Sequence, residues 1–365
     1  MLSSWDDYPV HQVSEPVRFV GTSDRNFYDR YYFNLHASSD ELFMVMGMGQ
    51  YPNLATQDAF ACVRLGDHHH VVRASRVLGD RMDTSVGPFR IEVVEPLRRL
   101  RFVLEPTEHG LACDLTWEGA IPAYQEPRQL LRREGRVLFD TQRLAQTGCW
   151  SGWIEVGGRH LDVTPDRWKG TRDRSWGVRP VGEPEPPGIH EGQGSLRGMW
   201  NYAPMQFDDH SILYLCNEEA DGTRPLEEAV RLWPDGRVED LGRPEFAHTL
   251  RPGTRMVEGP SRLEFPEAPG GGFGVTVTPL VHNYVAVGTG YGVGDDFRHG
   301  MYRGELVVDG RRWAMAELDT WAWFGIVDHA ARFEVDGGPT GFGLHETGFF
   351  GSFPRYGLHG ATSVA

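Results

Sequence analysis

Two adjacent residues, His345 and Glu346, are of the types that most often transfer protons in enzymes. They follow a glycine-rich stretch that has no βαβ context, so we interpret them as a candidate acid/base pair and not as part of a nucleotide site. His68 and His70 would share one face of a strand. No third ligand is spaced near them, and the tip of a hairpin accounts for both. The sequence therefore predicts no metal site.

Cofactor signatures are missing from the sequence in the same way. The glycines of residues 288–294 are not followed by a helix pattern or by a Lys-Ser/Thr pair, and there is no Gly-x-Ser-x-Gly motif. Lys169 is the single lysine among 36 basic residues, so Schiff-base or Walker-type chemistry would depend on that residue. The four cysteines are isolated from one another. We expect a protein that uses no cofactor.

Charge and hydropathy narrow the possible partners. The chain of 365 residues carries a net charge of −15, which disfavours binding to nucleic acid and to anionic membrane surfaces. Its first residues are acidic and form no apolar leader, and no apolar run reaches the ~18 residues that a membrane span needs. We therefore expect a cytoplasmic protein that does not insert into membranes.

The sequence predicts that short strands position the candidate residues. Apolar and polar residues alternate over Phe89–Val93, Leu100–Leu104 and Leu111–Trp117, and Gly and Pro together number 69. Residues 230–238 read as a hairpin around Asp235-Gly236. Only Pro127–Gln146 is compatible with a short helix. The pattern predicts an all-β protein with little helix.

An internal repeat and a linker divide the chain into halves. Residues 148–159 align without gaps on residues 300–311, with five identities in twelve positions, and each copy reads as strand, glycine turn and strand. Residues 180–194 hold four prolines and four glycines, which a strand cannot cross. We predict an N-terminal barrel over residues 1–179, a linker over 180–194 and a C-terminal barrel over 195–365, and a homodimer is possible.

Residues 146–179 carry a resemblance to a known family. The sequence Gln146-x-Gly148-x-x-x-Gly152, followed by Lys169-Gly-Thr-Arg-Asp-Arg-Ser-Trp-Gly-Val-Arg179, resembles the carotenoid 1,2-hydratase/AttH-like superfamily. Its relatives include tocopherol cyclase and cofactor-free fungal cyclases that act on polyketides. The resemblance implies two consecutive lipocalin-like antiparallel β-barrels (a double calycin).

The resemblance also implies a site. An Asp of this motif is the suspected proton donor of the hydratases, and Asp173 occupies the matching position; a carboxyl group buried among aromatic rings stays neutral, and the rings stabilise a carbocation. Tyr202, His345 and Glu346 are the candidate partners of that acid. Seven residues are candidates for contact with the substrate: Tyr28, Tyr32, Trp150, Trp153, Trp176, Trp200 and Met205. For Tyr28 and Tyr32, covering the open end of a barrel is an equally good explanation.

The sequence leaves two functions open. The first is an enzyme, a hydratase-like lyase, an isomerase or a cyclase, that acts on a bulky hydrophobic terpenoid, steroid, polyketide or aromatic compound. The second is a lipocalin-like carrier without catalysis. The carrier is favoured by departures from the family pattern: Thr171 stands where the hydratases have Tyr, and their His-x-Trp pair is missing near Trp150. Arg172 and Arg174 also flank Asp173, which could instead form a structural Asp–Arg pair.

Overall fold

The protein is built from two curled antiparallel sheets, one of fourteen strands and one of nine. The computed structural model describes residues 2–133, 135–185, 198–292, 296–319, 326–360 and 363–365. The fold is all-β, as predicted, and is a double lipocalin-like barrel.

The first half of the chain supplies the first thirteen strands. They are β1 (Phe27–His36), β2 (Leu42–Tyr51), β3 (Thr56–Leu65), β4 (His68–Val77), β5 (Ser85–Val86), β6 (Phe89–Glu95), β7 (Arg99–Leu104), β8 (Leu111–Gly119), β9 (Tyr124–Gln125), β10 (Gln129–Arg133), β11 (Arg136–Val156), β12 (Arg159–Val163) and β13 (Lys169–Val178). Their order in the first sheet begins at β4 and runs through β1, β13 and β11 to β5.

The second half supplies ten strands. They are β14 (Gly198–Gln206), β15 (Ser211–Glu218), β16 (Leu226–Leu232), β17 (Val238–Asp240), β18 (Glu245–Ala247), β19 (Ser261–Phe265), β20 (Phe273–Asn283), β21 (Leu306–Ala314), β22 (Ile326–Val335) and β23 (Thr340–Phe350). The helical segments are short: α1 (Met315–Leu318) and the 3-10 turns Ser4–Asp7, Pro52–Leu54 and Pro354–Tyr356. None of the helices in the described ranges is long and apolar enough to cross a membrane.

Both halves close in the same way, because the last strand of each half pairs antiparallel with its first strand. In the first sheet β13 lies between β1 and β11, and in the second β23 lies between β14 and β22. β23 is therefore the counterpart of β13, and β22 is the counterpart of β11. One strand departs from this symmetry: β21 belongs to the second half but pairs with β4 at the edge of the first sheet.

Two local predictions are wrong. Asp309-Gly310, predicted as a turn by the repeat, lies inside β21 and pairs with Arg73 and Val72. The proposed helix over Pro127–Gln146 consists of strands β10 and β11, because the long strand β11 offers pairing partners there. The hairpin at residues 230–238 is confirmed by the pairing of β16 with β17.

Each barrel interior is filled by side chains. The first core contains Phe33, Phe102, Trp117 and Trp150, and the second contains Met205 and other residues that are as deeply buried. Trp150 is fully buried, with its ring 5.1 Å from that of Trp117. Among the described residues, tightly packed side chains therefore form a core inside each barrel.

The predicted domain boundaries are not tested by the strand pairing and stay a prediction. Residues 186–197, most of the proposed linker, lie outside the described residues. β21 carries part of the range assigned to a C-terminal barrel into the first sheet.

Candidate active site between the two sheets

A mainly apolar layer joins the outer faces of the two sheets. Tyr32, Phe43 and Phe60 from the first half pack in one cluster with Tyr202 and Leu344 from the second. Strands β1, β13 and β11 meet strands β14, β22 and β23 here. The side chains that could do chemistry lie within this layer and not inside either barrel.

The centre of the layer is a pair of carboxyl groups, Asp328 and Glu346. They lie directly opposite each other on the antiparallel strands β22 and β23. Asp328 is fully buried and Glu346 is half-buried. Because directly opposite residues on paired strands have Cβ atoms only ~5 Å apart, two ionised carboxylates here would repel each other strongly.

Hydrogen-bond donors from both sheets hold this pair. Tyr32 Oη donates to Asp328 Oδ2 at 2.6 Å, although the two residues belong to different sheets. Trp200 Nε1 donates to Glu346 Oε1. Asp328 Oδ1 is buried, and the Asp328 and Glu346 carboxyl groups are hydrogen-bonded to each other.

Burial favours the protonated form of these groups. It raises the pKa of Asp328 well above its usual range, and the neighbouring Glu346 raises it further. The pKa of Glu346 is also raised, first by burial, although Trp200 and Arg143 act against this. Burial and Asp328 together raise the pKa of Tyr32. The carboxyl pair therefore holds a proton more tightly than exposed carboxyl groups do.

A positive charge lies beside the pair. The Arg143 guanidinium stacks 4.5 Å from the ring centre of Tyr202 and 5.3 Å from that of Trp200. It also forms an ion pair with Glu126, whose side chain is 2 % exposed. Tyr202 Oη is buried and interacts with the Glu126 carboxyl group, and burial raises the pKa of Tyr202 well above the usual value.

Asp173 reaches the same layer from β13, where it lies opposite Tyr32 on β1. Burial raises its pKa, and the guanidinium groups of Arg143, Arg30 and Arg179 oppose that rise. Because side chains alternate along a strand, the flanking Arg172 and Arg174 project to the opposite face, as the sequence indicated. Of the three arginines that influence Asp173 most strongly, Arg143 and Arg30 belong to other strands, and Arg179 directly follows β13.

Arg30, one of these arginines, is almost completely buried. Its guanidinium bonds to His299 Nδ1 and stacks 4.9 Å from the ring centre of Tyr291. His299 Nε2 lies 2.9 Å from Thr289 O, so that nitrogen carries the proton and Nδ1 accepts from Arg30. This chain of contacts fixes a positive charge behind Asp173.

The cluster has a buried side and an accessible side. Asp328, Tyr32 and Tyr202 are buried, whereas Glu346 and Asp173 keep part of their surface exposed. Glu346 is therefore the member of the carboxyl pair that lies nearer to the surface.

His345 does not join Glu346, because neighbouring residues of a strand project to opposite faces. Its ring lies inside the second barrel, where Nε2 is 3.1 Å from Asn201 Oδ1 and the ring centre is 5.4 Å from that of His248. Burial lowers the pKa of His345 well below its usual value. It is a neutral core residue in this structure.

The structure brings together five of the eleven predicted site residues: Tyr32, Asp173, Trp200, Tyr202 and Glu346. The other candidates lie elsewhere: Trp150 and Met205 fill the barrel cores, Tyr28 packs on Tyr51 and Val181, Trp153 stacks on His160 at the surface, and Trp176 lies at the rim of the first barrel.

Sequence reasoning missed three members of the cluster, Asp328, Arg143 and Glu126. The available signal for Asp328 was an acidic residue within the apolar run Ile326-Val-Asp-His-Ala-Ala. Its partner could not be read from the sequence, because the register of β22 against β23 is set by the folded sheet.

Solved structures resemble this fold across most of its length. An AttH-like protein from Nitrosomonas europaea matches with a TM-score of 0.54 and 14 % identity, over 93 % of this chain and 97 % of that one. CghA with the compound Sch210972 gives 0.48 at 11 % identity over 88 % of each chain, and CghA gives 0.46 at 10 % identity over 88 % of this chain and 87 % of that one. The first match supports an AttH-type lipocalin-like fold.

Comparison of sequences gives a family without an assigned activity. A model described as a family of unknown function, DUF8625, matches residues 2–359. No curated protein matches the chain.

Proposed function

The chain belongs to DUF8625, and we propose that it is an enzyme whose own side chains catalyse proton transfer on a bulky, largely apolar small molecule. The reaction is an isomerisation, elimination or cyclisation of a substrate that carries a carbonyl group. Glu346 and Asp328 supply the acid.

The observation that carries this proposal is the Asp328–Glu346 pair in an apolar layer, where burial favours the protonated form of both carboxyl groups. A carboxylic acid that stays neutral near pH 7 is an effective proton donor, and enzymes obtain one by burial and by pairing carboxyl groups. Glu346 is accessible and Asp328 stands behind it, so a proton lost from Glu346 can be replaced from its neighbour. An ordinary structural carboxylate would be paired with a guanidinium and ionised.

The charge beside the pair favours a carbonyl over an isolated alkene. The resemblance to carotenoid 1,2-hydratase suggests protonation of an alkene, which creates a carbocation. The faces of Trp200 and Tyr202 are already occupied by Arg143, whose positive charge would repel that cation. The same charge would stabilise the negative charge that develops on a carbonyl oxygen during enolisation.

The remaining groups have complementary roles in this proposal. Asp173, near several guanidinium groups, is the base that removes a proton from carbon. Tyr202 contacts both Glu126 and Arg143, and in this proposal it holds that ion pair in place beside the substrate. Burial raises the pKa of all three carboxyl groups, but the guanidinium groups near Asp173 favour its ionised form, whereas Glu346 favours the protonated form of Asp328.

Exchange of substrate protons with solvent tests the proposal without a known substrate. A steroid enone, a monoterpene ketone and an aromatic β-diketone are incubated with the protein in D₂O, and mass spectrometry measures deuterium at carbon. We expect the wild type to accelerate exchange in at least one compound. Glu346→Gln and Asp328→Asn should slow that exchange by about 100-fold, the usual contribution of a positioned acid or base.

Glu334→Gln is the matched control, because Glu334 lies on the same strand as Asp328 but has a side chain that is 44 % exposed. It should leave the exchange rate unchanged. Exchange no faster than in buffer for all three compounds, or equal rates for the wild type and Glu346→Gln, would refute the assignment.

Carriage of a ligand inside a barrel receives less support. Both interiors are packed with buried side chains, among them Trp150 and Met205, where a carried molecule would have to fit. A carrier would also have no need for a protonated acid pair, since an unpaired buried carboxyl destabilises the fold.

A further inference from the structure

A second concave site lies at the open end of the first barrel, away from the carboxyl pair. It has a volume of about 390 Å³ and is lined by side chains from β1, β6, β7, β11 and β13. Tyr31, Leu100, Leu144 and Trp176 form most of its apolar wall. Pockets of this size are typical of sites for small organic molecules.

Arg172 lies at the bottom of this pocket and is 2 % exposed. Its Nε donates to Gln146 Oε1 at 2.8 Å, but its Nη2 has no hydrogen-bond partner among the described residues. Burial lowers the pKa of Arg172 to about 10, so the group is still charged at neutral pH. A buried cation with an unused donor is costly unless another oxygen satisfies it.

The other charged groups at the pocket are Asp29 and Arg174. Arg174 pairs with Asp29, and Arg81 approaches the same carboxylate at 3.5 Å. Two guanidinium groups thus share the one carboxylate of the pocket wall, which limits its repulsion of a ligand anion. In a chain with a net charge of −15, this local surplus of positive charge is unusual.

We propose that this pocket binds a small molecule with one carboxylate and an apolar body. The carboxylate lies inward, against the Arg172 guanidinium, and the body lies along Leu100 and Leu144 toward the rim. The site is independent of the acid pair, because Arg172 and Asp173 project to opposite faces of β13.

The shape of the rim supports this orientation. Trp176, Val93 and Leu97 line the outer part of the pocket and are 37 %, 48 % and 57 % exposed. A contiguous apolar rim around a buried cation suits a ligand whose polar end enters first. A polyanion fits less well, because Asp29 stands on the wall and one donor is unused.

Calorimetric titration with decanoate and with decanol tests this proposal, because the two probes share an apolar chain and differ in charge. We expect decanoate to bind the wild type about tenfold more tightly than decanol, the factor that one charge-assisted hydrogen bond supplies. Arg172→Gln should abolish that difference. Asp328→Asn should bind decanoate like the wild type, whatever its effect on proton exchange.

A rim variant keeps the test valid if Arg172→Gln fails to fold. Leu97 has a φ of 62°, a conformation that Asp adopts more readily than Leu, so Leu97→Asp should fold and weaken decanoate binding by repulsion. Leu130→Asp, at a site that is 46 % exposed and outside the pocket, should not weaken it. Equal affinity for decanoate and decanol, absence of decanoate binding, or equal weakening by the two Asp variants would overturn the proposal.

Discussion

A single buried carboxyl group can change how the stability of the whole protein depends on pH, and Asp328 is such a group. Its pKa in the folded state is raised well above 3.8 by burial and by Glu346. Above that ordinary value, the carboxyl of the unfolded chain loses its proton while the folded one keeps it. The free energy of unfolding therefore falls as the pH rises, by about 1.4 kcal/mol per unit for one proton.

Replacing Asp328 by Asn should remove part of this dependence. Asn cannot ionise, and its oxygen can still accept from Tyr32, so we expect a smaller loss of stability between pH 5 and pH 8 than in the wild type. Urea unfolding at a series of pH values measures this, with Glu334→Gln as the exposed control on the same strand. Parallel curves for the wild type and Asp328→Asn would mean that Asp328 is ionised in the folded protein.

The sequence singled out Asp173, Tyr202 and Glu346, but it did not reveal that they meet outside the barrels. Residue type and local spacing suffice to identify a possible acid or base. The partnership of Tyr32 with Asp328 joins residues 296 positions apart. Such contacts depend on how two sheets pack, and no local pattern encodes that.

At the scale of the element, the space around Gly170, in the segment that resembles the known family, admits no side chain. A Cβ added to Gly170 would lie 2.0 Å from Asn34 O and 2.9 Å from Trp150 Nε1. Trp150 Nε1 also donates to Asn34 O at 2.9 Å, so the indole closes this corner of the barrel. The sequence identified Gly170 as part of a motif, and the structure explains it by the close approach of β1 and β13.

Gly170→Ala should therefore destabilise the protein by about 2–3 kcal/mol, the usual cost of overpacking a core. The clash involves a backbone atom, which cannot move aside without loosening the pairing of β1 and β13. Gly79→Ala is the control, because its added Cβ would meet only the end of Arg76, at 3.8 Å. Equal urea midpoints for the two variants would contradict this account.

Strand prediction succeeded where alternation was regular and failed where pairing overrode local preference. The alternating runs of β6, β7 and β8 are strands as expected. Residues 127–146 lack clear alternation, yet they form β10 and part of β11. β10 pairs with β11, and β11 pairs with β13, so strand pairing decides the structure of this segment. No local sequence pattern likewise indicated that β21, from the second half, would pair with β4 in the first sheet.

At the scale of the whole molecule, β21 makes the first sheet depend on the second half of the chain. Arg73 on β4 is 2 % exposed and bonds both Asp309 on β21 and Asp296. Its Nη1 also donates to Gly288 O at 3.2 Å. Through these bonds, Arg73 connects the first sheet to β21 and to the loop that precedes β21.

Loss of the Arg73 bonds should make the first sheet unfold before the second. In the wild type we expect peptides from β3 and from β15 to lose hydrogen-exchange protection at the same urea concentration. Arg73→Gln removes the bonds to Asp309 and Asp296, so β3 should become exposed at lower urea, with a cost of about 1.5–3 kcal/mol, the usual worth of a hydrogen bond to a charged group. Arg76→Gln is the control on the same strand, since Arg76 bonds Gln57 and Asp83 within the first half. If the β3 and β15 transitions still coincide in Arg73→Gln, the layer around Tyr32 and Tyr202, and not β21, holds the two sheets in one cooperative unit.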